Sequence, residues 1–241
     1  MASFGPIAPL YDRLMSSVPY DMWADYYQLL LAQIDARPKR LLDVCCGTGT
    51  VAELLADAGF SVTGFDLSAG MIEAARTKGS RVEYFVADAA ELSLGRKFEG
   101  AYSFFDSLNY ITDPERLGMA IQRVAEHLEP GGSFVFDVNT AYAFERRMFD
   151  QRNLRKTSKL KYKWVGDYDE SARIIRVQMD FWSGEDHFSE VHVQRAHSDE
   201  ELRAFLSEAG FQVERVFESY TLDLPRRTSD RVHYVAIKER G

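Results

Sequence analysis

The sequence predicts an α/β domain built on a mostly parallel sheet and elaborated late in the chain by an antiparallel insertion. From about residue 40 to 138, short apolar runs alternate with helix-period segments, the pattern of βαβ units. A glycine turn, Gly47-Thr48-Gly49, stands where the first strand should run into a helix. After residue 139 the period changes to strict alternation of apolar and polar residues.

Residues 10–36 read as one or two helices rich in Tyr11, Tyr20, Trp23, Tyr26 and Tyr27, a lid-like place for aromatics. Parallel strands are expected at 40–45, 61–65, 82–87, 98–105 and 132–138. Between them, Ser68 caps a helix carrying Met71, Ile72 and Ala75, and Asp113-Pro114 opens another carrying Leu117, Ile121 and Val124. Glu129-Pro130-Gly131-Gly132 ends that helix and turns into the fifth strand.

In the insertion, Leu160, Tyr162 and Trp164 alternate with lysines, and Ile175, Val177, Met179 and Phe181 alternate with polar residues. Val191 and Val193 continue the pattern against Glu190, His192 and Gln194, so the valines are expected on the covered face and His192 on the polar one. A capping box, Ser198 to Glu201, starts the next helix, which Gly210 stops. Strands near 211–219 and 231–238 complete the main sheet. Residues 1–241 are thus expected to form one domain: an N-terminal helical lid at 1–38, a core at 39–138, the insertion at 139–197 and the end of the core at 198–241.

At 241 residues, 46% of them hydrophobic, the chain can bury a full core. Its net charge of -8 repels phosphate backbones and acidic membranes, which disfavours nucleic acid as a partner. No apolar stretch approaches the roughly 20 residues that a membrane span needs, and no targeting signal is visible. The two cysteines, Cys45 and Cys46, are adjacent and suit neither an ordinary disulfide nor a zinc site; a reducing cytoplasm fits best. A monomer or homodimer acting on a small molecule is the expected form.

A strand that turns through glycines into a helix leaves backbone N–H groups and the helix's positive end facing a crevice. Gly47 and Gly49 supply that turn, and Asp66, about 20 residues on, stands where an acid accepts bonds from ribose hydroxyls. The loop alone fits a nicotinamide dinucleotide equally well. Asp43, beside the turn, suits a ligand bearing an ammonium and a sulfonium better than one bearing a pyrophosphate. Asp88 is either an acceptor for an adenine amino group or a helix N-cap, and Phe105 and Asp106 stand at the crevice lip.

The segments "LLDVCCGTGTVAELLADAGFSVTGFDLSAGMIEAAR", "VADAAEL" and "HLEPGGSFVFDVN" resemble, in order and spacing, the motifs of class I S-adenosylmethionine-dependent methyltransferases. The N-terminal "YDRLMSSVPYDMWADYY" and the later "EVHVQRAHSDEELRAFLSEAGF" are similar to a bacterial YqeM-type subgroup of small-molecule methyltransferases. "GRKFEGAYSFFDSLNYI" and "HFSEVHV" bear a weaker likeness to N,N-dimethyltransferases of nucleotide-linked aminosugars. The resemblance implies a Rossmann-like three-layer sandwich around a seven-stranded sheet, with S-adenosyl-L-methionine as cofactor. It further implies that Gly47, Thr48 and Gly49 meet the methionine moiety and Asp66 the ribose. By the same likeness Leu67 and Met71 flank the adenine, Asp88 and Ala89 read its edge, Phe105 lines the transfer crevice, and Tyr11, Tyr20 and Trp23 close over the cofactor.

Methyl transfer from a sulfonium is an in-line displacement, so alignment supplies much of the acceleration and few catalytic side chains are required. Asp106, Tyr142, His192, His197 and His233 are the possible bases. No metal is expected: Asp106, Asp137 and Asn139 lack the adjacent Asp-Asn spacing of metal-assisted methyltransferases. Basic residues at 145–163 and Arg226-Arg227 form either a solvated face or a contact for a phosphate- or carboxylate-bearing acceptor. A nicotinamide-dependent oxidoreductase and a non-catalytic adenosyl-binding module are the competing readings.

Overall fold

The structure is a computed structural model that describes residues 11–15, 18–79, 81–155, 160–184 and 186–240. Residues 1–10, 16 and 17 of the expected N-terminal helical lid, and residues 156–159 of the basic run, lie outside the described residues.

Five strands, β1 (Arg40–Val44), β2 (Ser61–Asp66), β3 (Glu83–Val86), β4 (Phe98–Ser103) and β5 (Leu128–Asn139), form the parallel part of the main sheet. Two more, β10 (Phe211–Glu218) and β11 (Arg231–Lys238), add to β5 in antiparallel sense, giving the order β10-β11-β5-β4-β1-β2-β3. Because β1 pairs with both β2 and β4, the chain reverses its direction of travel there, and a crevice opens above the carboxyl ends of β1 and β4.

Alternate side chains of these strands feed the two outer layers. From β1, Leu42 and Val44 face α5 (Pro114–His127) and α7 (Asp199–Glu208), where Leu117, Ile121, Val124, Leu202 and Leu206 are buried. Leu41 faces the opposite layer: α2 (Tyr20–Ala32), α3 (Thr50–Asp57) and α4 (Ala69–Arg76), with Tyr27, Leu30, Leu55 and Ile72. Each such side chain contributes roughly 1.5–3 kcal/mol by leaving water. Ser68 caps α4, Asp113 caps α5 with Pro114 in its first turn, and the Ser198–Glu201 capping box is complete at α7, all as their sequence spacing requires.

The insertion forms its own sheet, ordered β6-β7-β8-β9, from β6 (Gln151–Asn153), β7 (Leu160–Asp169), β8 (Ile174–Ser183) and β9 (Asp186–Arg195). Its three long strands fall where the alternation puts them; the three-residue β6 carries too little pattern to be read.

Several boundaries differ from expectation. Strand β4 stops at Ser103 because Phe105 and Asp106 turn to φ 66° and 49°. Strand β5 already pairs at Leu128, opposite Phe98, and bulges through Gly131 (φ 81°) before the regular ladder resumes. The phase of β9 is reversed. His192 and Gln194 are 2% and 1% exposed, whereas Val191 is 52% exposed. On its inner face β9 lies beside the apolar Ile175, Val177 and Met179 of β8, but His192 and Gln194 find polar partners there in Tyr110, Glu190 and Asp106, which alternation alone does not reveal.

Candidate functional site

Beyond β1, the chain passes through left-handed backbone at Cys45 (φ 59°), Gly47 (55°) and Gly49 (73°) before entering α3. A Cβ on Gly47 would meet nothing within 4 Å, so the loop presents bare backbone to open space. One on Gly49 would run into the Tyr84 ring and hydroxyl. Tyr84 is in turn tied to Glu53 of α3 at 2.6 Å.

The cleft above this loop has a volume of about 650 Å³ and continues beneath the second sheet. Its floor is formed by Asp43, the Gly47-Thr48 backbone, Asp66, Leu67, Met71, Asp88 and Ala89, and its far wall by Trp164, Met179, Phe181 and His192. Phe105 and Asp106 stand between the two halves.

Asp43 shares the Leu41 side of β1 and is 4% exposed, with the Tyr102 hydroxyl donating to it at 2.9 Å. Burial pushes its carboxyl up to about 8; the Tyr102 bond offsets part of that, and the charge of Asp66 adds to it. Asp66 binds the turn to β2: one carboxylate oxygen accepts from the Gly47 N–H at 2.9 Å and the other from Ser68 N–H at 2.8 Å. Burial also raises this carboxyl, against those two bonds. Asp88 accepts from Ala90 N–H at 2.9 Å, so it is an N-cap, and its other oxygen pairs with Arg116 of α5 at 2.7 Å.

The N-terminal aromatics reach the same place. Tyr11 of α1 (Tyr11–Leu14), Tyr20 and Trp23 all line the cleft. The Tyr20 and Phe105 rings lie 5.0 Å apart, and Trp23 stacks on Tyr220 at 5.3 Å. Beside Tyr11, Asp12 accepts from the Thr48 hydroxyl at 2.6 Å and pairs with Lys78 at 2.9 Å, latching the segment across the glycine loop. Tyr26 and Tyr27 belong instead to the buried layer under α2.

Of the possible bases, only Asp106 and His192 line the cleft. Tyr142 sits on α6 (Ala141–Glu145), which turns Ala143 and Phe144 inward and leaves Tyr142 under the Arg146 guanidinium, away from the cleft lining. His197 is buried short of the crevice, and burial lowers its imidazole to about 4. His233 is enclosed by Tyr26, Phe104 and Tyr220, with its imidazole lowered to about 3 by burial and by Arg231. Both rings are neutral packing elements near pH 7.

Asp106 is already committed. Arg231 donates to it at 2.7 Å and Gln194 at 2.5 Å, while Arg231 also pairs with the fully buried Asp137. A cation from the protein itself thus stands between the two carboxylates considered as metal ligands. Asn109 staples the roof to the platform, donating to the carbonyls of Asn139 at 3.0 Å and Arg195 at 2.8 Å. His192 is held at both nitrogens: Tyr110 Oη lies 2.9 Å from Nδ1 and Glu190 Oε2 lies 2.8 Å from Nε2.

Residues 17–216 match the family model described as "Methyltransferase domain". The chain belongs to the class I S-adenosylmethionine-dependent methyltransferases. It is 32% identical to YqeM of Bacillus subtilis, a protein named as a methyltransferase, over 97% of this chain and 96% of that one. It is also 31% identical to the dTDP-3-amino-3,4,6-trideoxy-alpha-D-glucopyranose N,N-dimethyltransferase of Streptomyces venezuelae, over 72% of this chain and 76% of the relative. The fold matches that of an S-adenosylmethionine-dependent methyltransferase from Clostridium acetobutylicum, with a TM-score of 0.84, 24% identity, and 99% and 100% of the two chains covered. S-adenosylmethionine is the methyl donor of this methyltransferase.

Tyr102, Tyr110, Arg116, Glu190, Gln194 and Arg231 were not among the residues singled out from the sequence. Glu190, His192 and Gln194 do carry a signal, since three polar residues at every second position mark one strand face. What is missing is which way that face points.

Proposed function

We propose that the chain transfers a methyl group from S-adenosylmethionine to a nitrogen or oxygen of a small molecule seated beneath the second sheet. What supports this most is the single cleft that joins the glycine loop to the aromatic inner face of that sheet. The bound donor supplies an electrophilic methyl group on a sulfonium. The residues supply its seat: Asp43 faces the cationic methionine end, and bare backbone at Gly47-Thr48-Gly49 admits the chain closely. Asp66 keeps an oxygen lone pair for a ribose hydroxyl, Leu67 and Met71 flank the adenine, and Ala89 meets its edge beside Asp88, which as an N-cap paired with Arg116 still has lone pairs for the adenine amino group. Tyr11, Tyr20 and Trp23 close from the N-terminal side, and Phe105 marks the passage to the acceptor half.

The two arginines that line the cleft are already paired, Arg116 with Asp88 and Arg231 with Asp106 and Asp137. With Trp164, Met179 and Phe181 as the wall, the buried end of the acceptor is uncharged and flat or cyclic. A phosphate or carboxylate on that end finds no available cation among the described cleft residues.

Thermal shift with S-adenosylmethionine, S-adenosylhomocysteine and NAD tests the donor site. Stabilisation by the first two and not by NAD is expected, and a response to NAD alone would overturn the reading. Transfer of a tritiated methyl group into a small-molecule extract tests the acceptor half; label found only in nucleic acid or protein fractions would count against it.

A further inference from the structure

A tyrosine, a histidine and a glutamate meet where the roof comes down on the crevice, arranged as a chain. Glu190 and His192 stand two residues apart on β9, so both point inward, and their side chains are 7% and 3% exposed. Tyr110 rises to meet them from the 3-10 turn Ser107–Tyr110, which follows the left-handed pair Phe105 and Asp106. A carboxylate can only accept, so the 2.8 Å contact to Glu190 makes Nε2 of a neutral His192 the donor. Nδ1 is left to accept, and the group that lies 2.9 Å from it is the Tyr110 hydroxyl. Both Tyr110 and His192 line the cleft.

We propose that Tyr110, His192 and Glu190 form a proton relay that deprotonates a hydroxyl acceptor, so that the chain is an O-methyltransferase of phenol-like small molecules. The proposal rests on the methyltransferase reading of the cleft given above. In the step, the acceptor oxygen forms its bond to the methyl carbon as the carbon–sulfur bond breaks, and the sulfur keeps that electron pair. The acceptor's proton goes to Tyr110 Oη while the Tyr110 proton passes to His192 Nδ1. The resulting imidazolium is held by the Glu190 carboxylate, as a base is oriented by a third group in a catalytic triad.

Two features favour a hydroxyl over an amine. A neutral amine attacks with a lone pair it already has, whereas a hydroxyl is a poor nucleophile until its proton is leaving. A buried and aligned base therefore acts within the transition state for the hydroxyl, whereas an amine needs only to be neutral before it attacks. The wall next to the relay is flat and apolar: Met179 pairs across from Glu190, with Trp164 and Phe181 on the same face. An aromatic ring stacked there presents a hydroxyl with an acidity of about 10 in water, so it gives up its proton more readily than a tyrosine raised by burial. Burial, with the charges of Asp106 and Glu190, raises the Tyr110 hydroxyl well above its ordinary value. Tyr110 thus rests protonated and acts by exchange rather than as a standing phenolate.

Imidazole nitrogen NMR on histidine-labelled protein reads the relay without any ligand. A neutral Nε2–H tautomer for His192 is expected, with an Nδ1 shift that moves in Tyr110→Phe; an Nδ1–H tautomer, or no response to that variant, overturns the relay. With methyl-13C S-adenosylmethionine and a bacterial small-molecule extract, the products should carry O-methyl signals. Tyr110→Phe should lower kcat by about 10²–10⁴-fold with KM for the donor unchanged. Products that are only N-methylated, or wild-type kcat in Tyr110→Phe, would refute the proposal. Failure to bind S-adenosylmethionine in calorimetry would sink the cleft reading instead. If the donor binds and no product forms, the imidazole tautomer alone decides the relay.

Discussion

The floor of the cleft at Gly47–Gly49 is backbone, fixed by three left-handed residues and by Asp66 gripping the turn, whereas its roof at Trp164, Met179 and His192 is side chain, carried on strands that can change residue by residue. As the proposed donor seat, the floor has one workable geometry, because N–H groups and a helix end would have to point at the ligand. The roof has only to match the shape and polarity of what lies beneath it. In the function proposed above, a constant donor is met by constraint and an acceptor by contour, and the joint between the two halves is a polar cluster of Asp106, Asp137, Arg231 and Gln194.

The joint is where the two halves should be most easily broken. Arg231→Met leaves the fully buried Asp137 without its cation and should cost about 3–5 kcal/mol in chemical denaturation, with transfer lost in parallel. A loss below 1 kcal/mol would mean that the platform and the roof do not depend on this pair. Next comes the floor: Gly49→Ala requires a left-handed alanine whose Cβ meets Tyr84, at a cost of about 1–3 kcal/mol, and should abolish saturable donor binding in calorimetry. Undiminished affinity would show that the turn is not the donor's seat.

Asp43 gives the floor a pH signature that the roof lacks. Its carboxyl is raised to about 8, so the folded chain without ligand keeps a proton that the unfolded chain loses near pH 4. The stability contributed by this site is complete below about pH 4 and is lost as pH rises through 8, and Asp43→Asn should remove that slope from a Tm series. A cationic donor favours the ionised form, so its affinity should climb over the same window by up to about one log unit per pH unit. A flat profile would place the cationic end elsewhere. The smallest effect belongs to the outer face of the roof: Val191→Thr should change stability by no more than about 0.5 kcal/mol, because Val191 is exposed. A core-sized loss there would restore the phase of β9 that plain alternation suggests.

The same contrast sets what could be read from the sequence. Glycines at 47 and 49, the acid at 66 and the capping residues at 68, 113 and 198 act over short spacings, and the elements they specify are where the sequence puts them. Tyr110 and His192 are 82 residues apart, and Arg231 and Asp137 are 94 apart, so no local pattern announces either contact. For β9 the alternation is correct but its sign is not, because His192 and Gln194 turn inward to polar partners, Tyr110, Glu190 and Asp106, that come from distant parts of the chain or from the strand itself. Tyr142 and His197 fail as bases for a related reason: residue type nominates them, whereas helix rotation and burial decide where a side chain ends up.

Among the described residues, the two sheets share no strand pairing, and the roof is attached through side chains such as Asn109 reaching the Arg195 carbonyl and Gln194 reaching Asp106. Lifting the roof therefore breaks these polar fasteners and the apolar packing of its inner face on Leu14, Ala143 and Phe144, and leaves every ladder intact. Amides of β8 and β9 should remain protected from hydrogen exchange as a block even when the block itself moves. A block held in this way can separate from the main sheet at a free-energy cost well short of unfolding.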